Sequence, residues 1–403
     1  MTSSRRVAVT GIGAISALGP DVAAYRQAVR EGRCGIHSID ADRSNRLTTR
    51  ITAAVTGFDP AASFDERRLP RLDRVAQLAL VAAREAMAGV AHDTLAPRRC
   101  GTVLAASLGQ ETIDSAYLAL YGENAKRLHP MTVPRSMPNA SCSQVSIEFG
   151  LTGPCFGVAS ACASATHAIG IAFHMVRAGM LDLAVTGGSD ASLTVGFLKS
   201  WESLRVLATD ACRPFSLDRE GLVIGEGAGV LVLEDWDHAT RRGAEIHAEV
   251  LGFGMGADAG DLTAPDAAGA ARAMREALDD AGLAPDAIDY VNAHGTGTRL
   301  NDRTEVAALH DVFGTRLARL PVSSSKSMFG HCLNAAGALE AVATVVALRD
   351  GVVPPTLGFR APDPECDIDC VADFARPVAI RTAISNSFAF GGLNAVLVLG
   401  KAA

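Results

Sequence analysis

Apolar residues along this chain fall in short runs that alternate with stretches of helical spacing, and that alternation predicts an α/β fold. Arg6–Thr10 reads as a strand entering a glycine turn at Gly11 and Gly13. Asp21–Glu31 follows with Val22, Tyr25 and Val29 on one helical face, and Gly32 ends it. The passage recurs downstream. Ala248–Leu251 is a strand, Gly252-Phe253-Gly254 a turn, and Asp266–Ala281 a helix with Ala270, Met274, Leu278 and Ala281 inward before Gly282. Strand, G-x-G, loop, helix and glycine thus occur twice. This predicts an internal duplication into residues 1–244 and 245–403, with a period too long for a solenoid and therefore two similar halves packed together. Further strands are predicted at Thr102–Ala106, Leu183–Thr186, Val230–Leu233, Tyr290–Ala293, Pro321–Ser323 and Ala395–Leu399. Helices are predicted at Arg71–Ala88, Ala163–Ala178 and Ala336–Leu348. The proline- and acid-rich segment from Val353 to Asp369 reads as an ordered surface loop, and Gly225-Glu-Gly-Ala-Gly229 as a close-packed hairpin.

Of the 403 residues, 48% are hydrophobic and 20% charged, which suits a large buried core and is too apolar for a disordered chain. Lysines and arginines number 37 against 44 acids, a net charge of −7, so no basic surplus points to nucleic acid. The 39 glycines and few aromatics favour closely approaching layers. Nine cysteines show no C-x-x-C spacing, Cys366 and Cys370 being the nearest pair. That predicts free thiols in the cytoplasm rather than a disulfide framework or a zinc site. Arg5-Arg6 before the run Val7–Leu18 imitates a secretion signal, but Thr10, Gly11 and Gly13 interrupt it. No apolar stretch approaches the roughly 20 residues of a membrane span.

Reactive side chains concentrate in three segments. Val158-Ala-Ser-Ala-Cys162-Ala-Ser-Ala-Thr-His167 sets a cysteine among small residues where an amphipathic helix begins. The helix dipole and free N–H groups there favour a thiolate and offer an oxyanion site; a buried structural cysteine fits the same residues. Asn292-Ala-His294-Gly-Thr296-Gly-Thr298 directly follows a strand, and Lys326-Ser-Met-Phe-Gly330-His331 leads into a helix start rich in glycine and alanine. Both histidines stand at strand-to-loop exits, where side chains converge above a sheet. A lone histidine is more often structural, but two in such contexts with a helix-capping cysteine point to a shared site. His167 and His174, on the helix after Cys162, are expected to be structural. Gly11-x-Gly13 followed by Ser16 breaks the dinucleotide fingerprint, and Gly225–Gly229 lacks the P-loop lysine, so neither motif is read as a nucleotide site.

These residues resemble an elongating β-ketoacyl-acyl-carrier-protein synthase of the KAS I/II type, in the thiolase-like superfamily. The resemblance runs nearly end to end, through Val7-Ala-Val-Thr-Gly-Ile-Gly, the cysteine elbow, Gly225–Gly229, the NAHGTGT and KSMFGH segments, and Asn386-Ser-Phe-Ala-Phe390-Gly-Gly392-Leu-Asn394. Asp210-Ala-Cys-Arg-Pro-Phe-Ser216 and Ala361-Pro-Asp-Pro-Glu-Cys-Asp-Ile-Asp369 resemble nodulation-type and other specialised type II ketosynthases. The resemblance implies a thiolase-like fold of two similar halves in α-β-α-β-α layers, the first half carrying the nucleophile and the second the histidines. It implies decarboxylative Claisen condensation of malonyl-ACP with an acyl chain held on Cys162, extending a fatty-acyl or polyketide chain by two carbons.

Residue by residue, it implies an oxyanion hole from the backbone N–H groups of Cys162 and Phe390, and enolate stabilisation by His294 and His331. Lys326 would act electrostatically near Glu305. Glu305 and Glu340 would organise the site, in some members with a structural monovalent cation. Thr296 and Thr298 would hydrogen-bond the pantetheine arm, and Phe390 would gate an acyl tunnel sought near Leu108, Phe197, Leu198 and Trp201. No catalytic metal or resident cofactor is implied, since phosphopantetheine arrives on the acyl-carrier protein. A homodimer with each subunit bordering the other's tunnel is expected, or a heterodimer with a chain-length-factor-like subunit. Two rivals differ at identifiable residues. A degradative thiolase needs a second cysteine as base where this chain has a histidine motif, and a non-catalytic chain-length factor lacks the cysteine present at 162. The chain departs from the family pattern at Ala389 and Asn334, where glycine is common, and at Leu393, where threonine is common. The Ala389 methyl is expected to restrict the gate's backbone swing.

Overall fold

In the computed structural model, which describes residues 5–39, 45–90 and 95–402, eleven strands form the main sheet. They are β1 (Val7–Ser16), β2 (Cys100–Ala105), β3 (Cys155–Val158), β4 (Leu183–Asp190), β5 (Gly227–Asp235), β6 (Ala248–Ala257), β7 (Tyr290–Asn292), β8 (Pro321–Ser323), β9 (Asp369–Cys370), β10 (Thr382–Ala389) and β11 (Leu393–Lys401). Their spatial order is β9-β8-β7-β10-β11-β6-β1-β5-β4-β2-β3. The principal helices are α1 (Val22–Glu31), α2 (Arg74–Met87), α3 (Ala140–Phe149), α4 (Ser164–Arg177), α5 (Val195–Ser203), α6 (Ala267–Ala281), α7 (Arg299–Phe313) and α8 (Ala336–Asp350).

Glycines inside strands, not glycine turns, explain the repeated G-x-G passage. β1 is buried along its whole length and runs straight through Gly11 and Gly13. A Cβ at Gly11 would lie 2.0 Å from the Ala86 carbonyl oxygen, and one at Gly13 would lie 1.9 Å from that of Ala82. The bare glycines let α2 press its backbone onto the strand. β6 repeats the device, since Cβ atoms at Gly252 and Gly254 would strike the carbonyl oxygens of Ala277 and Ala273 on α6, at 2.5 and 2.1 Å. The expected turns at both places are therefore corrected to continuous strands. Gly225–Gly229 is likewise the entry to β5 and not a hairpin; Gly229 lies against the backbone of Ala338 and Leu339 on α8.

The halves sandwich two central helices. α2 and α3 cover the outer face of β1, β2, β4 and β5, while α6 and α7 cover the outer face of the second set of strands. α4 and α8 lie between and touch strands of both sets. Every residue of α8 from Ala336 to Leu348 is buried, which is why this helix carries an apolar and small sequence all round rather than a stripe. The five layers are those of a thiolase-like α/β fold, and antiparallel pairing of Val7–Val9 in β1 with Ala248–Val250 in β6 joins the two sheets into one. β10 was not expected. Its centre is Ser385-Asn386-Ser387, polar yet buried, so no apolar alternation marks it.

Gly13→Ala should destabilise the fold by roughly 1–3 kcal/mol through backbone overpacking, read as a lower urea midpoint. An unchanged midpoint would mean that α2 does not sit on β1 as described.

Candidate active site

After β3 the chain reverses through Ala161, whose φ of 47° is a left-handed conformation costly for a residue with a Cβ. Ala161–Ala163 make one 3-10 turn before α4, and Cys162 is its middle residue. The turn is pinned by Ser164, whose Oγ donates to the Ala161 carbonyl (2.7 Å) and accepts from the Ser160 N–H (2.8 Å). The second half repeats the turn. Leu333 also has φ 47°, and Leu333–Ala335 make a 3-10 turn before α8. Asn334 there occupies the place that Cys162 holds in the first half.

Cys162 is 9% exposed. Burial pushes its thiol up to about 11, with the Lys326 charge pulling the other way. Desolvation of the charged sulfur thus outweighs the Lys326 charge and the backbone hydrogen bond that favour a thiolate.

His294 follows β7, and its backbone is clamped from α7. Glu305 accepts the N–H groups of His294 (2.8 Å) and Gly295 (2.7 Å), and Asn386 on β10 donates to the same carboxylate (3.2 Å). The imidazoles of His294 and His331 meet edge-on, with centroids 5.5 Å apart. His331 does not sit directly at a strand exit as expected; the short helix Lys326–Phe329 and Gly330 at φ 70° separate it from β8.

Lys326 is fully buried. Its ammonium donates to the His294 carbonyl at 2.6 Å, contacts His294 Nδ1 at 3.2 Å, and is ion-paired with Glu340. Lys326 thus pairs with Glu340, while Glu305 holds the N–H groups of the same His294 and of Gly295. An ammonium has only donors, so His294 Nδ1 must accept and the ring proton resides on Nε2. His331 Nδ1 accepts the Leu333 N–H at 3.1 Å, which places its proton on Nε2 as well. Burial first, then the Lys326 charge, drives both histidines well below the usual imidazole range. They are neutral rings, each with an Nε2–H to offer.

Glu305 and Glu340 are both buried, and Glu340 feels both the Lys326 and the Glu305 charge. Burial raises both carboxyls, Glu340 to about 7 against the pull of Lys326. Among the described residues, Asn292 Oδ1, Asn386 Oδ1 and Glu340 Oε2 are buried acceptors without a donor. The orphaned Asn386 Oδ1, on the side chain that donates to Glu305, is a hard oxygen of the kind a monovalent cation takes, and Glu305 and Asn386 are the residues that would hold one. No cluster of three His, Cys, Asp or Glu side chains is placed to ligate a metal among the described residues.

Two cavities meet at the sulfur. The first, about 130 Å³, is lined by Cys162, His294, His331, Thr296, Thr298 and Phe390, with Ala389, Leu262 and Leu300. The Thr296 and Thr298 hydroxyls pair at 2.9 Å. The second, about 300 Å³, is lined by Cys162, Leu108, Phe197, Trp201, Asp190 and Asn334, with Phe390. Cys162, Phe390 and Trp201 border both. Phe390 lies in the turn joining β10 to β11 and stacks on Trp201, with centroids 6.0 Å apart at 19°. Ala389 and Leu393 pair across that turn.

Leu198 does not join the second cavity. Phe197 and Trp201, four apart on α5, share one face, whereas Leu198 turns inward and is buried with Leu193, Leu222 and Leu333. His167 and His174 pack on Phe253 at 6.0 and 5.7 Å, outside both cavities. Sequence reasoning missed Asp190, the orphaned amides of Asn292 and Asn386, and the Leu333 N–H. Asn386 stood inside a quoted motif, but a backbone amide leaves no mark in a sequence.

A family model described as "Beta-ketoacyl synthase, N-terminal domain" matches residues 4–239, and its C-terminal counterpart matches residues 247–360. Nodulation protein E of Rhizobium sp. (strain N33) is 48% identical over 396 residues, covering 98% of each chain. The 3-oxoacyl-[acyl-carrier-protein] synthase 2 of Staphylococcus aureus (strain COL) is 39% identical, covering 100% of this chain and 99% of the other. The solved ishigamide ketosynthase/chain length factor matches with TM-score 0.93 at 36% identity over both whole chains. A type II PKS acyl-carrier protein in complex with its ketosynthase bound to the hexaketide matches with TM-score 0.90 at 29% identity, again over both whole chains.

Lys326→Met should strand Glu340 as an unpaired buried acid and cost about 3–5 kcal/mol. A double variant that also carries Glu340→Leu should regain part of that loss. Equal urea midpoints for Lys326→Met and the unaltered protein would contradict the buried pair.

Proposed function

The chain belongs to the β-ketoacyl synthase family, and from that premise we propose that it catalyses decarboxylative Claisen condensation of malonyl-ACP with an acyl chain carried on Cys162. Cys162 Sγ attacks the thioester carbonyl of an acyl carrier. A new C–S bond forms, the pantetheine sulfur leaves, and it takes the proton that Cys162 gives up. With the thiol at about 11, that proton departs only as attack proceeds. Malonyl-ACP then enters the first cavity, where Thr296 and Thr298 hydrogen-bond the pantetheine arm. His294 and His331 donate their Nε2–H groups to the malonyl thioester oxygen. The bond to the carboxylate breaks, carbon dioxide leaves, and its electron pair becomes the enolate, whose charge rests between the two N–H donors. The enolate carbon attacks the Cys162 thioester. The resulting oxyanion lies at the N–H groups of Cys162 and Phe390, then collapses and expels the sulfur, which recovers a proton. The product is a 3-oxoacyl carrier thioester two carbons longer. A monovalent cation at Glu305 and Asn386 would balance the second buried carboxylate.

One observation carries this reading: the protein fixes both imidazoles in the same tautomer, with each Nδ1 already accepting. A degradative thiolase would need a second thiol, and among the described residues Cys162 is the only cysteine lining either cavity.

The partners follow from the same surfaces. Arg205 and Arg299 are exposed beside the lining residues Val206 and Leu300 and suit an acidic carrier protein. Leu108 is 47% exposed on the second cavity's edge. Elsewhere on the surface Tyr117, Leu118, Val133, Ile147 and Phe156 are exposed, and β3 is an unpaired sheet edge. A second ketosynthase-type subunit, an identical copy first and a chain-length-factor-like chain as the alternative, suits such a face. All nine cysteines are free, as a reducing cytoplasm favours. No described helix is long and apolar enough to cross a membrane.

Cys162→Ala should lower condensation by about a thousandfold or more, while Cys162→Gln retains malonyl decarboxylation. Because both histidines stay neutral well below their ordinary pKa, that decarboxylation should be flat from about pH 8 to about pH 6. A fall centred near the ordinary histidine value, or loss of both activities in Cys162→Gln, would overturn the assigned roles. Sedimentation equilibrium of the purified chain should give twice the monomer mass; a monomer would leave only the heterodimer.

A further inference from the structure

Two polar side chains in the wall of the second cavity have no part in the condensation. Asn334 is oriented by one firm hydrogen bond of its carboxamide: Nδ2 donates to Asp190 Oδ2 at 3.0 Å, while Oδ1 lies 3.3 Å from Ser164 Oγ, whose proton goes to the Ala161 carbonyl. Asp190 is 1% exposed, and its other oxygen accepts the Ser192 N–H at 3.1 Å. The amide of Asn334 is therefore fixed, and of its two N–H donors one goes to Asp190 while the other has no acceptor among the described residues. Ser164 stands two residues after Cys162, so the carboxamide lies near the thioester end of any chain held on the sulfur.

Water can satisfy a free N–H in an open cavity, but an acyl chain displaces it. A saturated chain then buries the donor unpaired, whereas an oxygen on the chain accepts it. Resting on the condensation reading, we propose that Asn334, oriented by Asp190, makes this site select acyl chains that carry a 3-oxo or 3-hydroxy oxygen over saturated chains of equal length. The expected discrimination is roughly tenfold, the net worth of one neutral hydrogen bond. The condensation product is itself a 3-oxo chain, so the preferred acyl donor is of the class this reaction makes, before any full reduction.

The test offers the protein an equimolar pair of N-acetylcysteamine thioesters, hexanoyl and 3-hydroxyhexanoyl, and reads the adducts on Cys162 by intact-protein mass spectrometry. The unaltered protein should favour the hydroxylated chain about tenfold, and Asn334→Gly and Asn334→Ala should bring the ratio near one. Adducts formed without preference, a preference for hexanoyl, or an unchanged ratio in both variants would overturn the proposal and leave the acyl-carrying role intact. The absence of any adduct on folded protein would overturn that role and this proposal with it. The comparison within the unaltered protein needs no variant to fold.

Discussion

A single buried ammonium decides what chemistry the site can perform. Lys326 cannot accept a hydrogen bond, so wherever it points it dictates the protonation of its neighbour. Its contact with His294 Nδ1 leaves that ring one available hydrogen, on Nε2. Its charge also discourages a second proton on either imidazole, because His294 and His331 are both shifted down by it after burial has already acted. Glu340 makes the arrangement tenable, since an unpaired lysine this deep would lose its charge. The tautomer of a histidine, usually a matter of solvent and chance, is here built into the packing of α8 against β7.

The duplicated architecture puts these groups within reach of the sulfur. α4 and α8 start side by side in the middle layer, each preceded by a 3-10 turn whose first residue has φ 47°. The first turn presents Cys162. The second presents Asn334 and supplies, through Leu333, the backbone N–H that orients His331. Residues more than 160 positions apart in the chain are thereby set around one pair of cavities. Close approach of layers requires the glycines of β1 and β6, which admit the α2 and α6 backbones where any Cβ would collide.

Burial has opposite consequences for nucleophile and donors. It raises the Cys162 thiol and lowers the imidazoles, so sulfur and rings alike rest uncharged. In the proposed condensation charge appears only during reaction, facing fixed N–H groups in a buried space, where such groups act most strongly. Phe390, stacked on Trp201, lines both cavities at the point where they reach the sulfur.

Alternation of strands and helices, and the segments around Cys162, His294 and His331, could be read from residues alone, because periodicity and small-residue motifs are local properties. Resemblance supplied the family, which the comparisons show, and the roles expected of the site residues. Local signals misjudged the glycines of β1 and β6, since the same residue permits a turn or a close approach and only the neighbouring helix distinguishes them. They missed β10, whose buried polar centre hides its alternation, and they placed Leu198 on the cavity face of a helix whose rotation is set by packing. The thiol's protonation, the pairing of Lys326 with Glu340, and both imidazole tautomers depend on distances between segments far apart in the chain. Desolvation and hydrogen bonding act through space, and only the tertiary structure determines which groups share it.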